Sequence, residues 1–205
     1  MDLKQNLDIE SIVSNVYIYG CATSIIASGY PMAKEVSKED MDDRVITEQD
    51  KRRAIRLASV ASGSGHDCFL KGITVQFDLT FSKHTWLEAL RYHWLDVISS
   101  QSTMHCLSTM KIQYMPWTDQ SVIDAFQQVL DRYIAEPTEE NWLAMIYSYP
   151  SGLQLTARMS TNLLQLKTIY KQRNNHRIPE WRVFCQFIQG VFEYCGLERA
   201  VYDEA

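Results

Sequence analysis

Nine residues constrain the fold more than any others in this chain. From Ile73 to Phe81, large apolar side chains (Ile73, Val75, Phe77, Leu79, Phe81) alternate with Thr74, Gln76, Asp78 and Thr80 without a break. Side chains of a strand point to opposite faces in turn, so a strict period of two predicts a strand with one face in a core. Such a strand needs partner strands and an apolar layer against its buried face. A chain of 205 residues, 46% of them apolar, is long enough to supply both.

On either side the pattern becomes helical. Residues 48–61 carry acidic groups early and basic groups late, with Thr47 placed to cap, and the Ser62-Gly63-Ser64-Gly65 run stops the helix. Over residues 83–98, Trp86, Leu87, Leu90, Trp94, Leu95 and Ile98 recur at helical spacing behind Ser82, a second candidate cap. Further helices are expected at 119–134, 138–147 and 155–172. A last one runs from Pro179, a residue favoured in a first turn, to about Tyr194 ahead of Gly196. No repeat, low-complexity tract or long linker divides the chain, so residues 1–205 read as one domain. The expected class is α/β (α+β), helix-rich with a small twisted sheet.

Charge and composition exclude several functions. Twenty-five acidic residues against twenty basic ones give a net charge of −5, which argues against a surface built for polymeric nucleic acid while leaving room for a local basic pocket. No apolar run approaches the roughly 20 residues of a spanning helix, and the first ten residues are too polar for a signal peptide. The five cysteines are scattered and form no Cys-x-x-Cys pair, so they read as buried free thiols in a reducing cytoplasm rather than as a zinc site or a disulfide framework.

Gly65-His66-Asp67, the strand after it, and Arg91-Tyr92-His93 beyond resemble the flavin-dependent thymidylate synthases. That family places a Gly-His pair before a strand, then Arg-His-Arg and a downstream Ser-x-Arg-Tyr. A second match lies at Asn162, Leu166 and Arg173, spaced like the family's Asn-x-Arg-x-Leu followed by Leu-Arg, with a faint echo at Pro179-Glu180-Trp181-Arg182. Together the matches cover residues 63–105 and 150–185, and the divergent phage-encoded relatives are the subgroup most resembled. The resemblance implies that family's fold, a homotetramer with sites shared between subunits, and FAD as the cofactor an active member would hold.

The departures are chemical. The family's Glu-His becomes Lys71-Gly72. Its Arg-His-Arg becomes Arg91-Tyr92-His93, or Tyr92-His93-Trp94 in a register shifted by one. Its Ser-x-Arg-Tyr becomes Ser102-Thr103-Met104-His105, and the Arg of Asn-x-Arg becomes Leu164. The family uses those arginines on flavin phosphates and the nucleotide, a task suited to a planar fork of donors. Methionine and leucine cannot make such bonds.

Three constellations remain, each with a structural alternative. Ser99, Ser100, Gln101, Ser102 and His105 offer donors and acceptors suited to phosphate, ribose or a base edge, or else they form a polar turn. Arg91 and His93, beside Trp86, Tyr92 and Trp94, form a basic and aromatic pocket wall, or a core helix whose Arg91 pairs with Glu88 on the surface. Lys167, Lys171, Arg173, His176, Arg177 and Arg182 form the chain's one basic concentration, explained in part by the dipole at a helix end and in part by a phosphate site. The Gly63-x-Gly65-His66 turn lacks phosphate-loop spacing. His66, His93 and His105 lack metal-ligand spacing, and no nucleophile–base pair stands out; His93 and His105 are the candidate bases.

The expected function is therefore nucleotide binding on a thymidylate synthase-like scaffold that lacks the family's catalysis, capturing or sequestering a nucleotide or a nucleotide-derived signal. The ligand would be held by Arg91, His93, Ser99, Ser100, Gln101, Ser102, His105, Asn162, Lys171, Arg173 and Arg177. The alternative is a flavin-dependent enzyme that modifies a pyrimidine deoxynucleotide, with FAD bound.

Overall fold

A computed structural model describes residues 7–61 and 63–202, the side chain at 42 excepted. Most of the polar N-terminal stretch, and Ser62 of the expected helix breaker, lie outside the described residues. In chain order the elements are α1 (Ile9–Ile12), β1 (Val13–Tyr19), α2 (Cys21–Ala27), α3 (Glu48–Ala58), β2 (Thr74–Ser82) and α4 (Lys83–Ala89). Then follow β3 (Asp96–Ser100), α5 (Thr103–Cys106), α6 (Gln120–Ala135), α7 (Glu139–Ser148), β4 (Gln154–Asn162), α8 (Leu163–Arg173) and α9 (Pro179–Tyr194).

The strands form one antiparallel sheet in the order β1-β2-β4-β3. β2, the strand read from its alternation, is central. Val75, Phe77, Leu79 and Phe81 are fully buried. They meet Phe184, Phe187 and Trp181 of α9, with Phe77 and Phe184 rings 5.6 Å apart and Phe81 and Trp181 5.2 Å apart. Each such ring contributes about 1.5–3 kcal/mol by leaving water, which makes this layer the main source of stability. Glu180 fixes the start of α9: its carboxylate accepts from the Ser82 amide at 2.6 Å and from the Thr85 hydroxyl at 2.9 Å.

The other face of the sheet is polar. Gln76, Asp78, Thr80, Thr156, Arg158 and Ser160 are half-buried there and pair across the β2–β4 ladder. Asn15, at a bulge in β1 with φ 49°, hydrogen-bonds Asp78 through its side-chain amide and accepts from Arg158 Nη1 at 2.7 Å. Asparagine is among the few residues that tolerate this left-handed conformation.

Several expectations hold. Thr47 caps α3 in a reciprocal capping box with Asp50, and α6, α7 and α9 begin and end within two residues of their expected limits. At Gly20, φ is +74° and an added Cβ would lie 2.5 Å from the Gly72 carbonyl oxygen, so the turn after β1 requires glycine. β1 and α2 have no counterpart in the sequence reading. Cys185 and Cys195 are buried as expected, whereas Cys68 and Cys106 are exposed.

Two expected helices are corrected. The 83–98 helix stops at Ala89, and Asp96–Ser100 becomes the edge strand β3, with Asp96 opposite Ser160 and Ser99 opposite Arg158. Leu87, Leu90, Trp94 and Ile98, the stripe that suggested a long helix, are 59%, 62%, 62% and 54% exposed, so no core rewards the longer helix. The first half of the 155–172 helix is β4. Leu155, Ala157, Met159 and Thr161 are buried while Thr156, Arg158, Ser160 and Asn162 are half-buried, a period of two masked by residues that also suit helices. Nine residue pairs with β2 outweigh that local preference.

Candidate functional site

The two segments that carried the family resemblance meet in space, and α8 joins them at two points. Asn162 caps the helix, its Oδ1 accepting from the Gln165 amide at 3.0 Å. One turn on, Lys167 is fully buried: its ammonium donates to Asp67 Oδ2 and to the Val60 carbonyl, both at 2.7 Å. That pair fastens the glycine-rich turn at 63–67 to α8, and both glycines there take left-handed φ. Lys167 is thus withdrawn from the basic surface group, and His66 projects exposed from the fastened turn.

At the C-terminal end of α8, Arg173 reaches back to α4. Its Nε donates to the Tyr92 hydroxyl at 2.8 Å and its Nη1 to Glu88 Oε2 at 2.9 Å, and the guanidinium lies 4.8 Å from the Trp181 ring centroid. Glu88 also accepts from Trp181 Nε1 at 2.8 Å, and Tyr92 donates to Gln172 at 2.9 Å. Bonded through Nε and Nη1 and mostly buried, the Arg173 fork holds the Arg91–His93 turn against α8. Glu88 is committed to Arg173, which corrects the expected Arg91–Glu88 surface pair.

Arg91 and His93 flank Tyr92 and are exposed, with the His93 ring 6.2 Å from Trp94. They lie on a turn rather than on a helix. Ser99 and Ser100 are exposed on edge strand β3. Gln101 extends that ladder: its amide donates to the Thr156 carbonyl at 3.0 Å and its Oε1 accepts from the Thr156 amide at 2.8 Å. Ser102 starts α5 without a side-chain cap bond, and His105 is exposed on that helix. Opposite Ser99, Arg158 pairs with Asp78 at 3.2 Å and lies 5.3 Å from the Tyr17 ring centroid. Sequence reasoning missed Arg158 because it had placed residue 158 on a helix; the period of two would have put it on the open sheet face.

The remaining basic residues separate. Arg182 donates to the carbonyls of His176 and Arg177 at 2.7 and 2.9 Å, a backbone-tying role. Lys171 and Arg177 share a depression of about 570 Å³ with Asn174, Asn175 and His176. Two residues apart on a helix, Lys171 and Arg173 point to opposite faces. The expected set therefore resolves into the Arg91–Arg173 turn, the Ser99–His105 edge, and a Lys171–Arg177 surface at the end of α8, which borders the first group where His176 meets Arg173 Nη1 at 2.8 Å. Among the described residues, no three His, Cys, Asp or Glu side chains converge as metal ligands, and no helix is long and apolar enough to cross a membrane.

Two solved structures of flavin-dependent thymidylate synthase from Helicobacter pylori, both holding FAD and dUMP, superpose on most of this chain. One has a TM-score of 0.64 at 15% identity, covering 92% of this chain and 99% of that one. The other has a TM-score of 0.60 at 15% identity, covering 89% and 97%. The fold is that of the flavin-dependent thymidylate synthases. No protein-family model and no curated protein matches the sequence. On this thymidylate synthase fold, the cap at Asn162 and the inward turn of Arg173 keep the spacing of the resemblance. Leu164 is a half-buried side chain packed against the core.

Proposed function

We propose that this protein binds a nucleotide on a thymidylate synthase-like scaffold and captures or sequesters it without the family's catalysis. The observation that carries the reading is the Arg173–Tyr92 bond, which draws Arg91 and His93 to the C-terminal end of α8. It leaves Arg91, His93, Ser99, Ser100 and His105 exposed for a ligand while Arg173 orients the turn. Two solved relatives in fold hold FAD and dUMP, which makes a pyrimidine nucleotide the first ligand to try. Leu164 and Met104 present no donor where the resemblance calls for phosphate-binding arginines. Those residues do not fit a flavin held in the family's manner. A homotetramer completes the proposal, with subunits meeting over the exposed side chains of residues 87–98.

Native mass spectrometry of fresh protein, with identification of any small molecule released on denaturation, tests this together with dUMP titration. The expected result is a flavin-free tetramer that binds dUMP. Arg91→Ala with Ser102→Ala should weaken dUMP at least about ten-fold, the scale of lost charge-assisted hydrogen bonds. Unchanged affinity in that variant overturns the site. The solved relatives with FAD motivate a second reading, a flavin-dependent enzyme that modifies a pyrimidine deoxynucleotide. Yellow protein with flavin absorbance would restore it and sink the first.

A further inference from the structure

Behind α8, on the face opposite Arg173, a cleft of about 760 Å³ opens between α3, Lys171 and the turn at 198–202. Arg52 and Arg56, four apart on α3, share one helical face, and Lys171 and Arg199 come from two distant segments. None of the four side chains makes a hydrogen bond or ion pair among the described residues, Arg52 acting on Glu48 only at a distance, and Glu198 is the only carboxylate among the described lining residues. The dipoles of α3 and α8 explain Arg56 and Lys171 one at a time. They do not explain why four unpaired cations from three segments converge in a chain of net charge −5. Converging like charges repel unless an anion separates them. Ser59 and Tyr202 add hydroxyls, and Ile55 adds an apolar wall. The volume lies within the range of small-molecule sites.

We propose that this cleft binds a ligand carrying two or three linked phosphates. The guanidinium forks of Arg52, Arg56 and Arg199 suit bidentate contact with phosphate oxygens, and Lys171 supplies a point charge. Four cations outnumber the charge of one orthophosphate, and a chain of linked phosphates comes nearer to matching them. The site is distinct from the dUMP site proposed above, because Arg173 and Arg91 lie across α8.

Isothermal titration of the full chain with tripolyphosphate, a nucleoside triphosphate and orthophosphate tests this. One tripolyphosphate per chain is expected, tighter than orthophosphate and weakened by salt. Tighter binding of the nucleoside triphosphate would assign its organic part to Tyr202 and Ile55; equal affinity would restrict recognition to the phosphates. Arg56→Gln with Arg199→Gln should weaken tripolyphosphate at least about ten-fold while circular dichroism, melting temperature and dUMP affinity stay unchanged. No binding at millimolar tripolyphosphate, or binding indifferent to that double substitution, overturns the proposal. Joint loss of dUMP and tripolyphosphate in the same variant overturns the separation of the two sites. Absence of dUMP binding in the unmodified protein, with tripolyphosphate binding intact, sinks the proposed function and leaves this one standing.

Discussion

Lys167 and Asp67 form an ion pair with almost no access to water, their side chains 0% and 3% exposed. Removing both charges from water is costly, but removing one partner costs more because it strands the other. Lys167→Met is therefore expected to lower unfolding free energy by about 3–5 kcal/mol. The added change Asp67→Asn should recover most of that loss. Urea denaturation of the single and double variants measures both, and a single variant as stable as the parent would show that the pair does not hold the glycine turn. Glu180 poses a different electrostatic case. Burial raises its pKa above the ordinary 4.5, against the lowering effect of its bonds from Ser82 and Thr85. A raised folded pKa means the native state holds the proton more firmly than the unfolded one, so this group's contribution falls as pH rises above about 4.5 toward the folded value. Relative to Glu180→Gln, the parent should lose stability across that interval; equal slopes for the two proteins in pH-dependent melts would refute the assignment.

Among the elements, α8 carries both a structural and a proposed functional burden, and Asn162 is where they can be told apart. As the helix cap it is worth about 1 kcal/mol, so Asn162→Ala should lower stability by that amount. Asn162→Asp keeps the cap while adding a negative charge. If Asn162 also meets a nucleotide phosphate, the Asp variant should hold its melting temperature yet bind dUMP more weakly; unchanged affinity would confine Asn162 to capping. The same region shows what sequence could and could not convey. Capping chemistry is local, so Thr47, Ser82 and Pro179 marked the starts of their helices correctly. Sheet pairing is not local. Residues 154–162 and 96–100 are strands because β2 and β4 offer them partners at distant positions, and neither segment announces that partner in its own composition. The resemblance singled out Asn162 and Arg173, and the structure makes the first the cap of α8 and the second a donor to Tyr92. The candidate site was illegible at Arg52, Arg56 and Arg199, which converge with Lys171 only once the C-terminal turn packs on α3.

At the scale of the whole molecule, α8 and α9 cover one face of the sheet, while the segment from α4 into β3 turns Leu87, Leu90, Trp94 and Ile98 outward. Apolar side chains exposed together in one short stretch mark a surface that another molecule covers more often than one left to water. The homotetramer proposed above supplies a second copy of the chain as that cover. Arg91 and His93 fall between Leu90 and Trp94, so a subunit packed there would border the proposed nucleotide site and exclude water from it, strengthening its charged contacts. Assembly and ligand binding should then be coupled, because each stabilises the form that favours the other. Leu90→Glu with Trp94→Glu puts two carboxylates into the interface while leaving the buried core untouched. The expected outcome is a species smaller than a tetramer in native mass spectrometry, with unchanged circular dichroism and dUMP affinity reduced about ten-fold, or 1.4 kcal/mol. A parent protein that is already monomeric would dismiss the shared site. A dissociated variant that still binds dUMP fully would show that one chain holds the nucleotide alone, by Arg91, His93 and the β3 edge.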